Sequence, residues 1–329
     1  MSGNFLLTGA MKKYKHLESS TPICLHTNRR EFCTFDNTRL YECTDCYLVF
    51  REPTDACHNP SLLYDDFYKN EMSSRFQSPV EYVVRMLRLY RALKIYTLSS
   101  NARSILDIGS GRGFLLYYLK KIFRYKRVAG IQVSRPAVEY SRNVLGLEIY
   151  EKDFIELKWE DNTFDVITMW HVLEHVIDPE HYIAKIRDVL TTDGRLIIEV
   201  PNLASWTRKM TAKYWLGLDL KYHITFFSPE SLSAMLERHG FRVTLVHTFS
   251  LEYSSFISTQ SILSRITDTN QMFFRWLQGE KFPFNQLIFH GMLVGLIAPI
   301  CILVNLLLFF TKRGEVLCVV AKKNRKDRD

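Results

Sequence analysis

The chain has 329 residues, of which 47% are hydrophobic and 24% are charged, and its formal net charge is +8 at pH 7. This composition excludes a largely disordered protein, and the length allows one large domain with additions. The positive charge is concentrated near the two ends, in residues 12–15 and 322–328. Such clusters suit an anionic membrane surface better than a nucleic-acid groove, so we expect no nucleic-acid partner. A merely solubilising tail is the alternative.

The first segment, residues 1–60, contains a C-x-x-C pair formed by Cys43 and Cys46. A structural zinc site needs four thiolate or imidazole ligands. A second such pair is incomplete, because Thr27 stands three residues after Cys24. The segment is therefore expected either to bind zinc or to be a metal-free relic of a zinc ribbon. The candidate zinc ligands are Cys24, Cys43, Cys46 and, as the fourth, His26 or Cys33.

Residues 61–100 are expected to form helices that cover a binding site on the next domain. A basic amphipathic helix is predicted from about residue 79 to residue 98. Tyr64 or Tyr68, which precede this helix, would be lid contacts.

The most informative stretch is an apolar strand that ends in Asp107 and turns through Gly109, Gly111 and Gly113 into a helix. A glycine turn between a strand and a helix lets the backbone approach a nucleotide-like cofactor closely. The spacing differs from the dinucleotide pattern G-x-G-x-x-G, and the lysine of a phosphate-binding P-loop is missing. The turn therefore matches neither of these two phosphate-binding patterns, and a chance glycine turn before a helix is the alternative.

This acid and glycine pattern resembles the first motif of the class I S-adenosylmethionine (SAM)-dependent methyltransferases. The resembling branch is that of ubiquinone-biosynthesis-type O-methyltransferases with a zinc-ribbon-like N-terminal segment. The resemblance implies an α/β fold with a doubly wound, seven-stranded, mostly parallel sheet, and SAM lying across the carboxyl ends of the strands. It places the SAM-binding core in residues 101–249, and it implies that Asp107 and the three glycines bind SAM.

The resemblance assigns four more cofactor positions along the following strands. Gln132 stands where relatives usually have an acid that binds the ribose, and an amide can accept one hydrogen bond and donate another. Asp153 would bind the adenine amino group, Phe154 would contact the ring, and Trp170 ends the fourth strand. The strands themselves are predicted at residues 127–133, 164–170 and 195–202.

After the fourth strand comes an H-x-x-E-H segment made by His171, Glu174 and His175. It formally matches a zinc-protease motif, but it follows a buried strand, where the resembling branch has an E-x-x-E-H segment that lines the acceptor cavity. Because His171 replaces the first acid, a magnesium site is not favoured there, since magnesium prefers oxygen ligands. The alternative is a structural role for Glu174 and His175 in fixing the loop.

Residues 201–228 form an aromatic-rich substrate cover that includes an H-x-x-x-F-S segment starting at His223. Methyl transfer to a hydroxyl needs a base near the oxygen, because a neutral alcohol is a poor nucleophile. A histidine titrates near neutral pH and suits this task. His223 is the first candidate catalytic base and His171 the second; a lid role without proton transfer is the alternative for His223.

Residues 250–314 are predicted to be a hydrophobic, membrane-associating insertion, because residues 287–310 carry no charge. This run is long enough to span a bilayer, but a single crossing would separate a sixth strand at 241–247 from a seventh, antiparallel strand at 315–321. Pro299 lies near the middle, so a helical hairpin that dips into one leaflet is expected. The alternatives are a true span and a buried or dimer-interface helix pair. Residues 315–329 would hold the last strand and the basic tail.

Together these features predict a SAM-dependent O-methyltransferase acting on a membrane-associated or lipid-linked small molecule or glycan. The alternatives are a C- or N-methyltransferase acting on a sugar, and a non-catalytic membrane-bound scaffold with the SAM fold. No signal peptide is recognised at the start, so the catalytic part is expected on the cytoplasmic face of a membrane, or otherwise in the cytoplasm, with reduced thiols.

Overall fold

The computed structural model describes residues 24–35, 37–52, 78–269, 271–277 and 280–324. The basic residues near both termini, as well as Tyr64 and Tyr68, lie outside these ranges, apart from Lys322 and Lys323. The described residues form a small antiparallel sheet and a large mixed sheet with helices packed on it.

The strands run in chain order from the N-terminal sheet to the last strand of the large sheet. They are β1 Arg29–Phe35, β2 Thr38–Cys43, β3 Val49–Arg51, β4 Ser104–Ile108, β5 Arg127–Ile131, β6 Glu148–Tyr150, β7 Phe164–Trp170, β8 Leu190–Pro201, β9 Thr225–Phe226, β10 Phe241–His247 and β11 Val316–Lys323.

The α-helices alternate with the strands through the core and then follow one another after β10. They are α1 Ser78–Leu98, α2 Phe114–Lys121, α3 Arg135–Asn143, α4 Pro179–Val189, α5 Trp206–Thr211, α6 Pro229–Arg238, α7 Ser254–Thr267, α8 Met272–Leu277 and α9 Phe284–Leu308.

The large sheet has the order β10-β11-β8-β7-β4-β5-β6. Strands β4 to β8 pair in parallel, whereas β11 is antiparallel to both β8 and β10. The central strands are continuous apolar runs because helices cover both faces of a parallel sheet. Ile105, Val166 and Ile197, for example, are fully buried. The predicted doubly wound, seven-stranded fold is therefore confirmed, including the antiparallel last strand.

The small sheet connects the N-terminal segment to the substrate cover. Its order is β1-β2-β3-β9, so β3, the last of three N-terminal strands, pairs with the cover strand β9. Arg51 strengthens the connection, because its Nε donates to the backbone carbonyl of His223 at 2.7 Å. The ribbon-like segment thus positions the residues around His223.

Helix α9 replaces the predicted hairpin: the chain continues helically through Pro299 from Phe284 to Leu308. The hairpin prediction was wrong because it weighed only the hydrogen bond that proline removes. A turn in an apolar segment would leave several backbone groups unpaired, each at a greater cost in a nonpolar setting. By length and composition alone α9 could cross a membrane, with a mean hydropathy of 2.5.

One face of α9 packs on α7, and the opposite face is exposed. Cys301 and Asn305 are buried one turn apart, and Asn305 Nδ2 donates to Ser258 Oγ of α7 at 2.8 Å. His290, three turns before Cys301, is buried on the same face. The large side chains that remain exposed are Phe284, Ile288, Phe289, Met292, Leu296, Ile300, Ile302, Leu303, Leu306 and Leu307.

Candidate functional site

The glycine turn lies between β4 and α2, at the carboxyl end of a central strand. Gly109, Gly111 and Gly113 all have positive φ, at 78°, 54° and 76°. A Cβ atom on Gly109 would lie 2.3 Å from Cγ2 of Val172, which is closer than atoms can approach. Glycine is therefore required at 109 for both backbone conformation and space, which suits a turn that a cofactor approaches.

Asp107 is the second-last residue of β4, next to this turn, and is buried. Its Oδ1 accepts a hydrogen bond from Thr168 Oγ1 at 2.6 Å. Burial raises the pKa of this carboxyl to about 6, against the opposing effect of the Thr168 hydrogen bond. Among the described residues no basic group forms an ion pair with it. A buried carboxylate of this kind is stabilised by a cationic ligand, and SAM carries positive charge, so the residue fits that cofactor.

Gln132 and Asp153 follow β5 and β6 at the same edge of the sheet. The side-chain oxygen of Gln132 already accepts from the Ser134 backbone N–H at 3.0 Å. Asp153 Oδ1 accepts from the Ile155 N–H and the Tyr182 hydroxyl, at 2.9 and 2.8 Å. Gln132 Nε2 and Asp153 Oδ2 remain for a cofactor, while the other polar atom of each side chain stabilises the loop in which the residue lies.

Phe154 has a different environment from the one expected of a ring-contact residue. It is fully buried in the core and packs against Trp159 and Tyr182. A side chain with no exposed surface offers no face to a ligand. Phe154 therefore supports the loop of Asp153 from inside the core.

Trp170 and His171 connect the end of β7 to a buried charge network. The Arg91 guanidinium lies 4.3 Å above the Trp170 ring, and Arg91 Nη2 lies 2.9 Å from Glu199 Oε1. Burial opposes ionisation of Glu199, but Arg91 and His171 outweigh it and lower the pKa of Glu199 to about 2. The network is completed by Glu252, which pairs with Arg91 at 3.0 Å.

His171 lies between two carboxylates and has a left-handed backbone, with φ 55°. Its Nδ1 is 3.2 Å from Glu174 Oε1, and its Nε2 is 3.5 Å from Glu199 Oε1. Burial alone would lower the pKa of His171, but the interactions with these two carboxylates outweigh it and raise the pKa to about 9. His171 is therefore protonated at neutral pH and is a poor proton acceptor.

His223 and His175 form a second cluster with Glu174. Their rings are 4.8 Å apart, and their Nδ1 atoms donate to the Gly217 and Tyr222 carbonyls, each at 3.0 Å. Burial lowers the pKa of both, that of His175 to about 4 with a further contribution from His223. The ligand atoms of Glu174, His175 and His223 lie within 4.8 Å of one another, so this cluster could also hold a metal ion.

In the N-terminal segment, four side chains have ligand atoms within 4.8 Å of one another: Cys24, His26, Cys43 and Cys46. Cys24 Sγ and Cys43 Sγ are 3.7 Å apart, and Cys46 Sγ is 3.3 Å from His26 Nδ1. Tetrahedral Zn–S bonds of about 2.3 Å place sulfur atoms roughly 3.8 Å apart, so this spacing fits zinc. The structure gathers His26, and not Cys33, with the three cysteines.

Residues that the sequence interpretation missed include Arg91, Glu252 and Glu199. An acid inside the apolar run of β8 was a usable signal for Glu199, because a buried carboxylate needs a partner. Arg91 had no such signal, because it is one of several basic residues on α1. Which of these basic side chains is buried depends on how α1 packs against the large sheet.

Comparison with known proteins indicates the family to which the chain belongs. A family described as a methyltransferase domain matches residues 76–246, more than half of the chain. The chain is 30% identical over 171 residues to bovine mitochondrial ubiquinone biosynthesis O-methyltransferase, covering 43% of this chain and 42% of that enzyme. It is 26% identical over 173 residues to a demethylmenaquinone methyltransferase of Thermotoga maritima, covering 46% and 76%.

An uncharacterised 37.1 kDa transposon protein of Streptomyces fradiae is 34% identical over 126 residues, or 36% of each chain. The chain thus spans less than half of the bovine and Streptomyces relatives. Among solved structures, a SAM-dependent methyltransferase from Archaeoglobus fulgidus is similar, with a TM-score of 0.47 and 20% identity over 80% of this chain and all of that one. From the match to more than half of its length, the chain belongs to the class I SAM-dependent methyltransferases.

Proposed function

We propose that the protein transfers the methyl group of SAM to a hydroxyl oxygen of a membrane-associated or lipid-linked small molecule or glycan. The observation that carries the proposal is the position of α9. It belongs to an insertion between β10 and β11, which pair with each other in the methyltransferase sheet. A largely exposed apolar helix is therefore part of the same folded unit as the SAM turn.

The attachment of this insertion favours a helix lying along one leaflet. Its two ends meet where the Gly314 N–H donates to Thr248 Oγ1 at 3.1 Å, so both ends lie on the same side of any membrane. The face of α9 that packs on α7 remains with the protein body, and the exposed face would lie in the lipid. We place the protein on the cytoplasmic face of a membrane.

The cofactor residues in this proposal are Asp107 and the three glycines, with Gln132, Asp153 and Trp170 beside them. Bound SAM supplies an electrophilic methyl group on a sulfonium centre. Asp107 would hold the charged part of SAM, Gln132 would reach the ribose, and Asp153 would accept from the adenine amino group through Oδ2. Phe154 would act only by keeping Asp153 in place.

His223 would act as the base that takes the proton from the acceptor hydroxyl. Its Nδ1 donates to Gly217, so the lone pair is on Nε2, and its lowered pKa keeps it neutral near pH 7. When the acceptor hydroxyl attacks the electrophilic methyl group, Nε2 of His223 would take the hydroxyl proton. His171, being protonated, would stabilise Glu174 and Glu199.

We further propose that Cys24, His26, Cys43 and Cys46 bind a structural zinc ion. The ion would fix the hairpin of β1 and β2, and with it β3, which pairs with the cover strand β9. Zinc would therefore support the position of His223 from outside the reaction centre. All four ligands are protein side chains, as is typical of structural sites.

The full-length protein, methyl-labelled SAM and a membrane lipid extract provide the test. Calorimetry should show SAM binding, and NMR of the product should show the label on oxygen. A label on carbon or nitrogen would overturn O-methylation and favour the second candidate function, a C- or N-methyltransferase acting on a sugar. The absence of SAM binding would contradict the proposal and favour a non-catalytic scaffold.

A further inference from the structure

A cavity of about 140 Å³ lies between α1 and the segment that follows β10. Trp170 and Glu199 form its inner end, and Leu87, Phe249 and Phe309 contribute apolar walls. Trp170 ends β7, so the cavity reaches the carboxyl-end edge of the sheet, where the glycine turn also lies. We call this space the α1 cavity.

The α1 cavity contains a cation without an acidic partner at ion-pair distance. Lys94 Nζ contacts His247 Nε2 at 2.8 Å and Cys318 Sγ at 3.4 Å. By contrast, Arg88 and Arg91 on the same helix both pair with Glu252. Among the described residues no carboxylate lies within 4.0 Å of Lys94, so its charge is available to an anionic ligand.

His247 adds no second positive charge to the cavity at neutral pH. Burial and the nearby Lys94 lower the pKa of His247 to about 4, so its ring is neutral at neutral pH. Arg91 also faces the cavity, together with Glu199 and Glu252, and these carboxylates are engaged by Arg91. Lys94 is therefore the positive group that a ligand could pair with directly.

The mouth of the cavity joins two exposed apolar surfaces. Tyr90 belongs to α1, Leu251 follows β10 and Phe309 follows α9; all three line the cavity and remain substantially exposed. Along α1 the exposed stripe continues at intervals of three or four residues, as expected for one helix face. The other large exposed side chains on α1 are Tyr82, Val83, Met86, Leu93 and Tyr96.

We propose that the α1 cavity binds the anionic head group, a phosphate or carboxylate, of an amphiphilic methyl acceptor whose hydrocarbon chain lies along the exposed faces of α1 and α9. Lys94 pairs with the head group, and the aromatic walls exclude water from the pair. The acceptor then approaches Trp170 from the bilayer side. This inference rests on the proposed transfer to a membrane-associated acceptor and adds its charge and its route of entry.

Octyl phosphate and octanol are suitable probes, because they share a chain and differ in charge. Calorimetric titration of the full-length protein should show octyl phosphate binding much more tightly than octanol. Lys94→Met should weaken octyl phosphate binding about tenfold, the effect expected for one charge-assisted hydrogen bond, and Lys94→Arg should restore most of it. Lys121→Met, which removes an exposed lysine on α2, should leave binding unchanged.

The inference would be overturned if wild type and Lys94→Met bound octyl phosphate equally. It would also be overturned if the wild type bound octanol as tightly as octyl phosphate. SAM binding is measured on the same samples, so a protein that binds SAM but not octyl phosphate refutes only this inference. Octyl phosphate should also inhibit methyl transfer to the lipid extract in competition with the acceptor. Binding without inhibition would identify a bulk-lipid site and contradict the acceptor assignment. A dimer lost in Tyr90→Ser, with probe binding unchanged, would assign the face to a second copy of the chain.

Discussion

The two halves of the molecule around the sheet edge differ in how they are held. On the cofactor side, the glycine turn is restricted by its left-handed backbone and by Val172, which leaves no room for a Cβ atom at position 109. On the acceptor side, His171, Glu174 and Glu199 are held by charges, and the His223 segment is held by the N-terminal sheet. Steric requirements tolerate almost no substitution, whereas charge networks respond to pH and to distant contacts. We therefore expect the cofactor side to be rigid and the acceptor side to respond to pH and to substitutions at a distance.

The largest expected effect is on the acceptor side, in His223→Asn. Removing a general base should reduce turnover by about 10²- to 10⁴-fold while SAM affinity stays within about twofold. His171→Asn should lose much less activity, because His171 is already protonated near pH 7. Turnover assays and SAM calorimetry on both variants make the comparison. Equal losses in the two variants would remove the distinction between the two histidines.

On the cofactor side, Gly109→Ala should destabilise the protein by about 3 kcal/mol, through left-handed strain and overlap with Val172. SAM affinity should fall at least tenfold. Gly146→Ala is the matched control, because Gly146 has φ 62° and nothing within 4 Å of an added Cβ. It should cost only about 1 kcal/mol, from strain alone. Urea unfolding measures both; similar losses would show that Val172 does not restrict the turn.

Loss of zinc from the N-terminal segment is expected to disturb the substrate cover, residues 201–228. Cys43→Ser should abolish zinc binding and lower the unfolding free energy by roughly 3 kcal/mol, with reduced turnover and retained SAM binding. Cys33→Ser should keep the metal, because Cys33 lies outside the ligand cluster. Metal analysis of the purified variants decides between them. Zinc lost from Cys33→Ser, or absent from the wild type, would contradict the ligand assignment.

The smallest effect is a pH dependence of stability from His171. Its pKa is about 9 in the fold, above the usual value of about 6.5 in an unfolded chain. The stabilisation is therefore complete below about pH 6.5 and is lost as pH rises through about 9, with a total of at most about 3 kcal/mol. Urea unfolding at pH 6.5 and 9 should show this decline in the wild type and a flatter profile in His171→Asn. Parallel profiles would contradict the charge network.

The same contrast explains what could be predicted from the sequence. Strands such as β7 and β10 were predicted with their observed bounds, because buried strands appear as short apolar runs. The glycine turn was equally visible, since its residue types follow from local backbone geometry. The family resemblance rested on these local patterns, and the resemblance in turn implied the sheet topology.

Contacts between distant segments could not be predicted in this way. Spacing left His26 and Cys33 open as zinc ligands, and only the fold of the β1–β2 hairpin gathers His26 with the cysteines. The pairing of Arg91 with Glu199 joins residues 108 positions apart. The predicted break at Pro299 was wrong, because a proline inside an apolar helix costs less free energy than the unpaired backbone groups of a turn there.

The central claim is that a rigid SAM site serves an acceptor delivered from a membrane. Incubating the full-length protein with methyl-labelled SAM and a membrane extract, followed by partition between chloroform and water, tests it directly. We expect enzyme-dependent label in the chloroform phase, and its loss in His223→Asn. Label confined to water-soluble products would contradict the account.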